Sequence, residues 1–233
     1  MGKIEFVSTV SGLADVEECL PKPAKHFIPK WFKDISLTEY TTVKNCPSFP
    51  DYFSQGYIVP MWADSFLQYS EKEATWNWKT QSSNTAWQTH DNLQFTDHVK
   101  SSFNGVKGQF VFKALCPWRI ITPPGWSVLQ LPLFYHFNQE WSVLPGVIDT
   151  DIHHEINQQV LYHGDSNGFT IKRSSPFVLY IPFERKNNLD ITIREATKKD
   201  IKLFNRNDYR FSSSFPGSGI YRLLQRERDK NER

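Results

Sequence analysis

The densest group of side chains that could do chemistry lies between residues 149 and 155. It contains Asp149, Asp151, His153, His154 and Glu155. Imidazole and carboxylate groups together can hold a divalent metal while leaving positions open for a substrate. If residues 151–155 are extended, Asp151, His153 and Glu155 share one face, because alternate side chains of a strand point the same way. These three residues are the candidate metal ligands.

Two alternatives stand beside that metal site. A histidine from a neighbouring strand, His136 or His163, could replace Asp151 as the third ligand. Alternatively, Asp149 and Asp151 hold a tight turn by accepting backbone hydrogen bonds, and the histidines form a polar rim. In either case we expect a ligand or a partner to bind near Asp149 and Asp151. The sequence therefore leaves open whether the protein is an enzyme.

The other motifs that would indicate catalysis are absent from the sequence. It contains no Gly-x-Ser-x-Gly elbow, no Gly-x-x-x-x-Gly-Lys phosphate loop and no dinucleotide fingerprint. The three cysteines, Cys19, Cys46 and Cys116, are odd in number and widely spaced, which argues against a disulfide framework and a cysteine zinc site. Cys46 and Cys116 each precede a proline in an apolar setting, which predicts inert, buried thiols.

The elements that must position these residues are mainly β-strands. From residue 108 onward, short apolar runs are separated by Pro or Gly, as in Pro123-Pro124-Gly125 and Pro145-Gly146. This pattern is typical of a β-sandwich or barrel. We predict a β-rich core over residues 108–195, with one of its strands at Asp190–Arg194. Residues 1–107 form a mixed N-terminal portion that could wrap on the same core, with a strand opening at Gly56 and short helices between residues 24 and 35. Residues 196–233 form a helix and a flexible basic tail.

Composition restricts the partners. The chain has 27 basic and 25 acidic residues, a balance that argues against nucleic-acid binding. Residues 81–107 are predicted as a long loop, and the polar segment Gln81–Asn104 within it contains a single lysine or arginine, Lys100. No signal peptide or apolar run long enough to cross a bilayer is present, so we expect a cytoplasmic protein without a membrane partner. Composition does not exclude a small-molecule ligand.

The order of motifs over residues 122–183 resembles the trimeric dUTPase family and its β-clip fold. The Pro123-Pro124-Gly125 turn is followed by Pro145-Gly146-Val147-Ile148-Asp149-Thr150-Asp151, by an apolar strand ending at His163, and by Phe169-Thr170-Ile171-Lys172. The resemblance covers about sixty residues, roughly a quarter of the chain. It implies a β-clip core, a homotrimer, and a position for Asp149 where the family orients the attacking water. The whole chain also looks like proteins of tailed marine phages, which implies the cytoplasm of a host cell.

The sequence departs from the dUTPase pattern where that family binds its nucleotide. Ile152 stands in place of the tyrosine that stacks on the sugar, and Leu131-Pro132-Leu133-Phe134 replaces the phosphate-binding Pro-Arg-Ser-Gly. A triphosphate needs cations and N–H donors around it, and most of that set is missing. We therefore expect an oligomeric β-clip-like protein that binds a ligand or partner without hydrolysing dUTP. The alternatives are a metal-dependent enzyme and a viral structural or decoration protein.

Overall fold

The computed structural model describes residues 2–36, 42–46, 48–70, 75–80, 86–89, 111–163, 167–186, 189–213 and 230. Most of the loop predicted over residues 81–107 lies outside these residues, as does the basic tail apart from residue 230. By its internal contacts the chain divides into two units. The first comprises residues 1–27 and 56–187, and the second comprises residues 28–55 and 188–233. The boundaries predicted near residues 107 and 195 stay a prediction.

The first unit is built from antiparallel strands. Its strands in the described part of the chain are β1 (Glu5–Ser8), β2 (Lys22–Pro23), β3 (Tyr57–Pro60), β4 (Ser65–Ser70), β5 (Thr75–Thr80), β6 (Ala86–Thr89), β7 (Val111–Leu115), β8 (Trp118–Ile121), β9 (Trp126–Leu131), β10 (Trp141–Val143), β11 (Gly146–Ile148), β12 (Gln158–Tyr162), β13 (Phe169–Ile171) and β14 (Pro176–Glu184). Short 3-10 turns occur at Leu13–Asp15, Glu17–Cys19, Ala24–Phe27 and Phe134–His136.

These strands form four sheets. The largest has the order β11-β9-β14-β3-β2, a second has β10-β12-β7-β6, a third has β13-β4-β5, and β1 pairs with β8. The central strand β14 carries a continuous apolar run, Phe177–Tyr180, and these four residues are buried. A strand with neighbours on both edges and covered on both faces needs such a run. Strand β11 lies at the edge of this five-stranded sheet and leads directly into Asp149. We call residues 145–155 the Asp149 segment.

Aromatic side chains form the centre of the core. The ring of Phe177 lies 5.1 Å from that of Trp141, 5.9 Å from Trp62 and 6.5 Å from Trp87, measured between centroids. Each of these residues is buried. The tryptophans at 62, 87, 118 and 141 therefore serve packing, which is the commoner use of large rings and leaves few for stacking on a ligand.

The second unit contains helices α1 (Lys30–Asp34), α2 (Ser48–Phe53) and α3 (Lys198–Ser213), with a 3-10 turn at Val43–Asn45. Phe32 of α1 packs edge-on against Phe53 of α2, with ring centroids 4.8 Å apart. At the start of α3, Asp200 accepts hydrogen bonds from the backbone and hydroxyl of Thr197, which closes the first turn. None of the described helices is long and apolar enough to cross a membrane.

The prediction of a mainly β protein with a few short helices is confirmed. Three local predictions differ. Residues 190–194 lie in neither strand nor helix, although their apolar residues alternate. The strand opening at Gly56 is two strands, Tyr57–Pro60 and Ser65–Ser70, and the side chain of Asp64 between them accepts the backbone N–H of Arg173 at 2.7 Å. Cys46 is exposed, whereas Cys116 is buried as expected.

Candidate functional site

The Asp149 segment begins as strand β11 and ends in a tight turn. In β11, Gly146 pairs with Gln130 and Ile148 pairs with Val128 of strand β9. The chain then turns, and the carbonyl of Asp149 accepts the backbone N–H groups of Ile152 at 3.0 Å and His153 at 2.8 Å. Residues 151 and 152 therefore belong to this turn, and residues 151–155 do not form the extended strand on which the shared face of three ligands depended.

The middle of the turn is fixed by a buried hydroxyl pair. The hydroxyls of Thr150 and Thr122 lie 2.7 Å apart, and Thr150 is fully buried. The backbone N–H of Thr122 also donates to the carbonyl of Thr150. Because Thr150 points inward, the side chains on either side of it, Asp149 and Asp151, point towards the Pro123-Pro124-Gly125 turn and the end of β14.

Arg185, just beyond the end of β14, binds both aspartates. Its Nη1 donates to Oδ1 of Asp151 at 2.9 Å and its Nη2 donates to Oδ2 of Asp151 at 2.6 Å, a two-pronged pair. Nη1 also lies 3.2 Å from Oδ1 of Asp149. The backbone N–H of Gly125 donates to Oδ2 of Asp151 at 2.8 Å, and the carbonyl of Gly125 accepts the N–H of Arg185 at 2.9 Å. Arg185 and Gly125 thus hold Asp151 from two sides.

Ser127 of β9 completes this network. Its hydroxyl donates to Oδ1 of Asp149 at 2.6 Å and accepts a hydrogen bond from Nη1 of Arg185 at 2.8 Å. Ser127 is fully buried. We call Asp149, Asp151, Arg185, Ser127 and Gly125 the aspartate network. Within it, each carboxylate is already paired with a cation and a hydrogen-bond donor.

The aspartate network sets the protonation of Asp151. The hydrogen bonds from Arg185, followed by the backbone N–H of Gly125, lower the pKa of Asp151 from 3.8 to about 2. The same contact with Asp151 raises the pKa of Arg185. The side chain of Asp151 is only 7 % exposed. At neutral pH Asp151 is therefore an ionised anchor with a buried side chain, whereas Asp149 keeps about half of its side chain in contact with solvent.

A second buried group, the core amide network, holds both ends of the segment. The hydroxyl of Tyr180 donates to Oε1 of Gln130 at 2.9 Å and accepts a hydrogen bond from Nε2 of Gln158 at 2.7 Å. Nε2 of Gln130 donates to the carbonyl of Leu144, just before β11. Nε2 of Gln158 also donates to the carbonyl of Ile156, just after Glu155. Residues 145–155 are thus anchored at both ends by hydrogen bonds to the core, at the carbonyl of Leu144 and at the carbonyl of Ile156.

Two of the three predicted metal ligands, Asp151 and Glu155, are each bound by a different arginine. Asp151 is bound by Arg185, as described above. Oε1 of Glu155 accepts Nη2 of Arg119 at 3.1 Å, and Oε2 accepts Nδ2 of Asn157 at 3.1 Å. His153 is exposed, and none of the described residues contacts its ring by a hydrogen bond or ion pair. Among the described residues, no three His, Cys, Asp or Glu side chains come together as metal ligands do. The metal role of Asp151, His153 and Glu155 stays a prediction.

The remaining histidines are used locally. Nδ1 of His154 lies 2.9 Å from the carbonyl of Thr150 and 3.2 Å from that of Ile120, so its ring N–H braces the turn. Nε2 of His163 lies 2.9 Å from the hydroxyl of Ser142. Burial lowers the pKa of both His136 and His163, which favours their neutral forms. Among the described residues, neither His136 nor His163 forms a hydrogen bond with a member of the aspartate network.

Three residues that matter here were not singled out in the sequence: Arg185, Ser127 and Tyr180. Arg185 lies 34 residues from Asp151 along the chain, so no local spacing joins them. A physical signal did exist, because two carboxylates in one partly buried turn need a cation. Arg185 is the first cation after β14, and antiparallel pairing sets Glu184 opposite Trp126, next to the Gly125 turn.

Comparisons with solved structures find distant likenesses in fold. The chain is similar to the native EIAV dUTPase, with 13% sequence identity and a TM-score of 0.34, over 61% of this chain and 86% of that chain. No protein-family model matches the chain, and no match is found among curated proteins. At so low a TM-score, neither function nor oligomeric state follows from the likeness.

Proposed function

We propose that the chain is a homo-oligomeric, β-clip-like binding protein that does not hydrolyse dUTP and that presents the Asp149 turn to a ligand or partner. The observation that carries this proposal is the aspartate network. Arg185 binds both aspartates, and Ser127 donates to Asp149. A carboxylate that activates water must accept a proton or a hydrogen bond from that water. Here Oδ1 of Asp149 is already engaged twice, and Asp151 is held ionised well below neutral pH.

The turn is built to be rigid and to expose apolar side chains. Ile152 is 77 % exposed at its tip, and Val147 of β11 is 60 % exposed on the edge strand. Exposed large apolar side chains on a firmly anchored backbone are typical of contact surfaces, because little conformational entropy is lost when they bind. The half-exposed carboxylate of Asp149 adds one polar group beside them. This surface supports binding rather than catalysis.

Self-association is supported by a second exposed apolar surface in the second unit. Leu189 is 94 % exposed, Ile191 85 % and Ile193 88 %, and they alternate with polar residues. None of the described residues pairs with this stretch as a β-strand. An alternating apolar stretch of this kind is stabilised by adding to a sheet edge or an apolar surface of another copy. We extend the proposal to a trimer, by analogy with the family that residues 122–183 resemble. The phage-like sequence is the basis for placing the protein in a host cytoplasm.

The hydrolysis part of the proposal is tested by incubating the purified chain with dUTP and Mg²⁺ and measuring pyrophosphate release. We expect release no faster than from buffer, both for the wild type and for Asp149→Asn. Release by the wild type that Asp149→Asn abolishes would overturn the proposal, since it would show that Asp149 activates water despite its pairing with Ser127 and Arg185.

The assembly part is tested by light scattering at micromolar concentration. We expect a mass of three times the 27.3 kDa chain. Ile191→Asp should lower that mass, because a charge would then face the partner's apolar surface. Thr192→Asp is the matched control, since it adds the same charge at the neighbouring exposed position, which would point to the opposite face once the stretch pairs as a strand. A monomeric wild type, or equal effects of the two variants, would contradict association through this stretch.

A further inference from the structure

A cavity in the first unit is lined by the turn that follows strand β1 and by the segments that follow β3 and β13. Its volume is about 390 Å³, within the range of small-molecule sites. Leu13, Trp62 and Arg173 each contribute to the lining from one of these three parts. None of the described lining residues belongs to the aspartate network, so the inference below stands or falls independently of the proposed function.

The backbone that carries Arg173 is fixed by hydrogen bonds. The N–H of Arg173 donates to Oδ1 of Asp64 at 2.7 Å. The N–H of Ser174 donates to the carbonyl of Met61 at 2.7 Å, and the N–H of Met61 donates to the carbonyl of Ser175 at 2.8 Å. The segment after β13 is therefore tied to the segment after β3. A ligand that contacts both segments would order little backbone on binding, which favours its affinity.

Trp62 brings a buried hydrogen-bond donor to this cavity. Trp62 is 6 % exposed and lines the cavity. Its Nε1 has no acceptor among the described residues, a condition that it shares with Nε1 of Trp87 and of Trp118. Of these three tryptophans, Trp62 alone is among the described lining residues. A buried donor without an acceptor is costly, so an occupant of the cavity that supplies the acceptor would gain binding energy from Trp62.

Arg173 brings a positive charge and further N–H donors. Among the described residues that line the cavity it is the charged one. Its Nη2 donates to Oε1 of Glu18 at 2.7 Å, and the side chain of Cys19 also contacts the guanidinium. A guanidinium has five N–H groups, so two such partners leave donors for another acceptor. Glu18 is about half exposed, and water therefore screens its repulsion of a second carboxylate.

Aliphatic side chains cover much of the remaining wall. They belong to Val10, Leu13, Val16 and Ala63, and Ser11 adds one hydroxyl. No Asp or Glu is present among the described lining residues, so the wall itself does not repel an anion. Aliphatic groups of a ligand would leave water on contact with these side chains, which stabilises the complex. The wall thus combines N–H donors, one cation and apolar surface.

We propose that this cavity binds a small aliphatic monocarboxylate. The carboxylate accepts charge-assisted hydrogen bonds from Arg173 and a hydrogen bond from the indole N–H of Trp62. The aliphatic chain packs against Val10, Leu13 and Val16. A cation of the same shape is repelled by Arg173, and the corresponding amide loses the charge-assisted pairing.

The ligand chemistry is tested with three probes of one shape: isovalerate, isovaleramide and isopentylammonium. Each is titrated against the full chain at neutral pH, and the indole N–H signals are followed by two-dimensional NMR. We expect isovalerate to move the Trp62 indole proton downfield in a saturable way. The amide should bind at least about tenfold more weakly, because hydrogen bonds to charged groups are the stronger ones, and the ammonium probe should not bind. An unmoved Trp62 signal, or equal binding of acid and amide, would overturn the proposal.

The location is tested with Arg173→Gln, which removes the cation and keeps the backbone N–H that Asp64 accepts. We expect isovalerate to bind this variant at least about tenfold more weakly, as for the loss of a hydrogen bond to a charged group. Arg194→Gln is the matched control, because Arg194 forms a similarly exposed ion pair, with Asp200, and does not line the cavity. Unchanged binding by Arg173→Gln, or equal weakening by Arg194→Gln, would refute the assignment.

Glu18→Gln separates ligand binding by Arg173 from a purely structural role of its ion pair. This variant breaks the same pair but leaves the guanidinium in place with one competing anion fewer. We expect it to bind isovalerate at least as tightly as the wild type. If the pair served only to hold the cavity together, Glu18→Gln and Arg173→Gln would weaken binding alike, and that result would contradict the proposal.

Discussion

Removing the hydroxyl of Tyr180 tests whether the core amide network anchors the two ends of residues 145–155. Tyr180→Phe keeps the ring, which is fully buried, and deletes only the oxygen that bonds Gln130, Gln158 and, at 3.3 Å, the carbonyl of Ile156. Oε1 of Gln130 then loses its donor, while Nε2 of Gln158 keeps the carbonyl of Ile156. The variant therefore leaves one buried acceptor unsatisfied.

The magnitude follows from that count. A buried polar group left without its partner costs about 1–3 kcal/mol, so we expect the free energy of unfolding to fall by about 2 kcal/mol. For a chain of this size, a loss of that amount lowers the melting temperature by about 4–8 °C. The assay is thermal and denaturant unfolding followed by circular dichroism. Amide hydrogen exchange should also quicken at Ile152 and His153, because one of the two anchors of their segment has loosened.

Tyr57→Phe is the matched control for this experiment. Tyr57 is partly buried in β3, and no hydrogen bond from its hydroxyl to a described residue is present. The same atom removed there should change stability by less than about 0.5 kcal/mol. If Tyr180→Phe were no more destabilising than Tyr57→Phe, or if exchange in the turn were unaltered, the core amide network would not be what holds the segment.

Three further outcomes are expected from the charges described above. The pKa of Asp151 is about 2 in the folded protein, below its ordinary value of 3.8, so Asp151 stabilises the fold above pH 3.8 and the stabilisation is lost as pH falls towards about 2. Arg185→Met should therefore move the midpoint of acid unfolding, followed by circular dichroism, to higher pH. An unmoved midpoint would contradict the pairing of Arg185 with Asp151. Burial lowers the pKa of His163, so protonation favours the unfolded chain and wild-type stability should decline below pH 6.5; His163→Gln should flatten that decline in melting temperature, and an unchanged slope would show that His163 does not contribute. Since Asp151 and Glu155 are bound by arginines, Zn²⁺ should change the melting temperature of the wild type and of His153→Ala equally; a rise confined to the wild type would instead establish the metal site.

The sequence predicts the strands better than it predicts the site. Runs such as Phe177–Tyr180 are recognisable as strands because burial on both faces needs a continuous apolar stretch, and such needs are local. The stretch Asp190–Arg194 shows the limit of the same reasoning. Its alternation is that of a strand, but a strand exists only if a partner edge is present, and none of the described residues supplies one.

The sequence could predict that Asp149 and Asp151 lie in a turn, but it could not predict that Arg185 pairs with them. Their position in a turn is predicted from residue type, and the side chain of Asp151 does accept a backbone N–H, that of Gly125. Their partner is not predictable in that way, because Arg185 approaches through the register of β9 and β14, which depends on the whole five-stranded sheet. Two carboxylates look like a reactive pair when the cation that pairs with them is 34 residues away in the sequence.

Because one of the three thiols is exposed, a dye attached to it could be used to count the chains in an assembly. Cys19 and Cys116 are buried, so neither thiol is accessible to a reagent while the protein is folded, and burial also raises the pKa of Cys116 to about 12. Cys46 is exposed. A maleimide dye applied to the native protein should therefore attach once per chain. The number of bleaching steps from a single assembly under the microscope would then equal the number of chains in it, with no engineered cysteine.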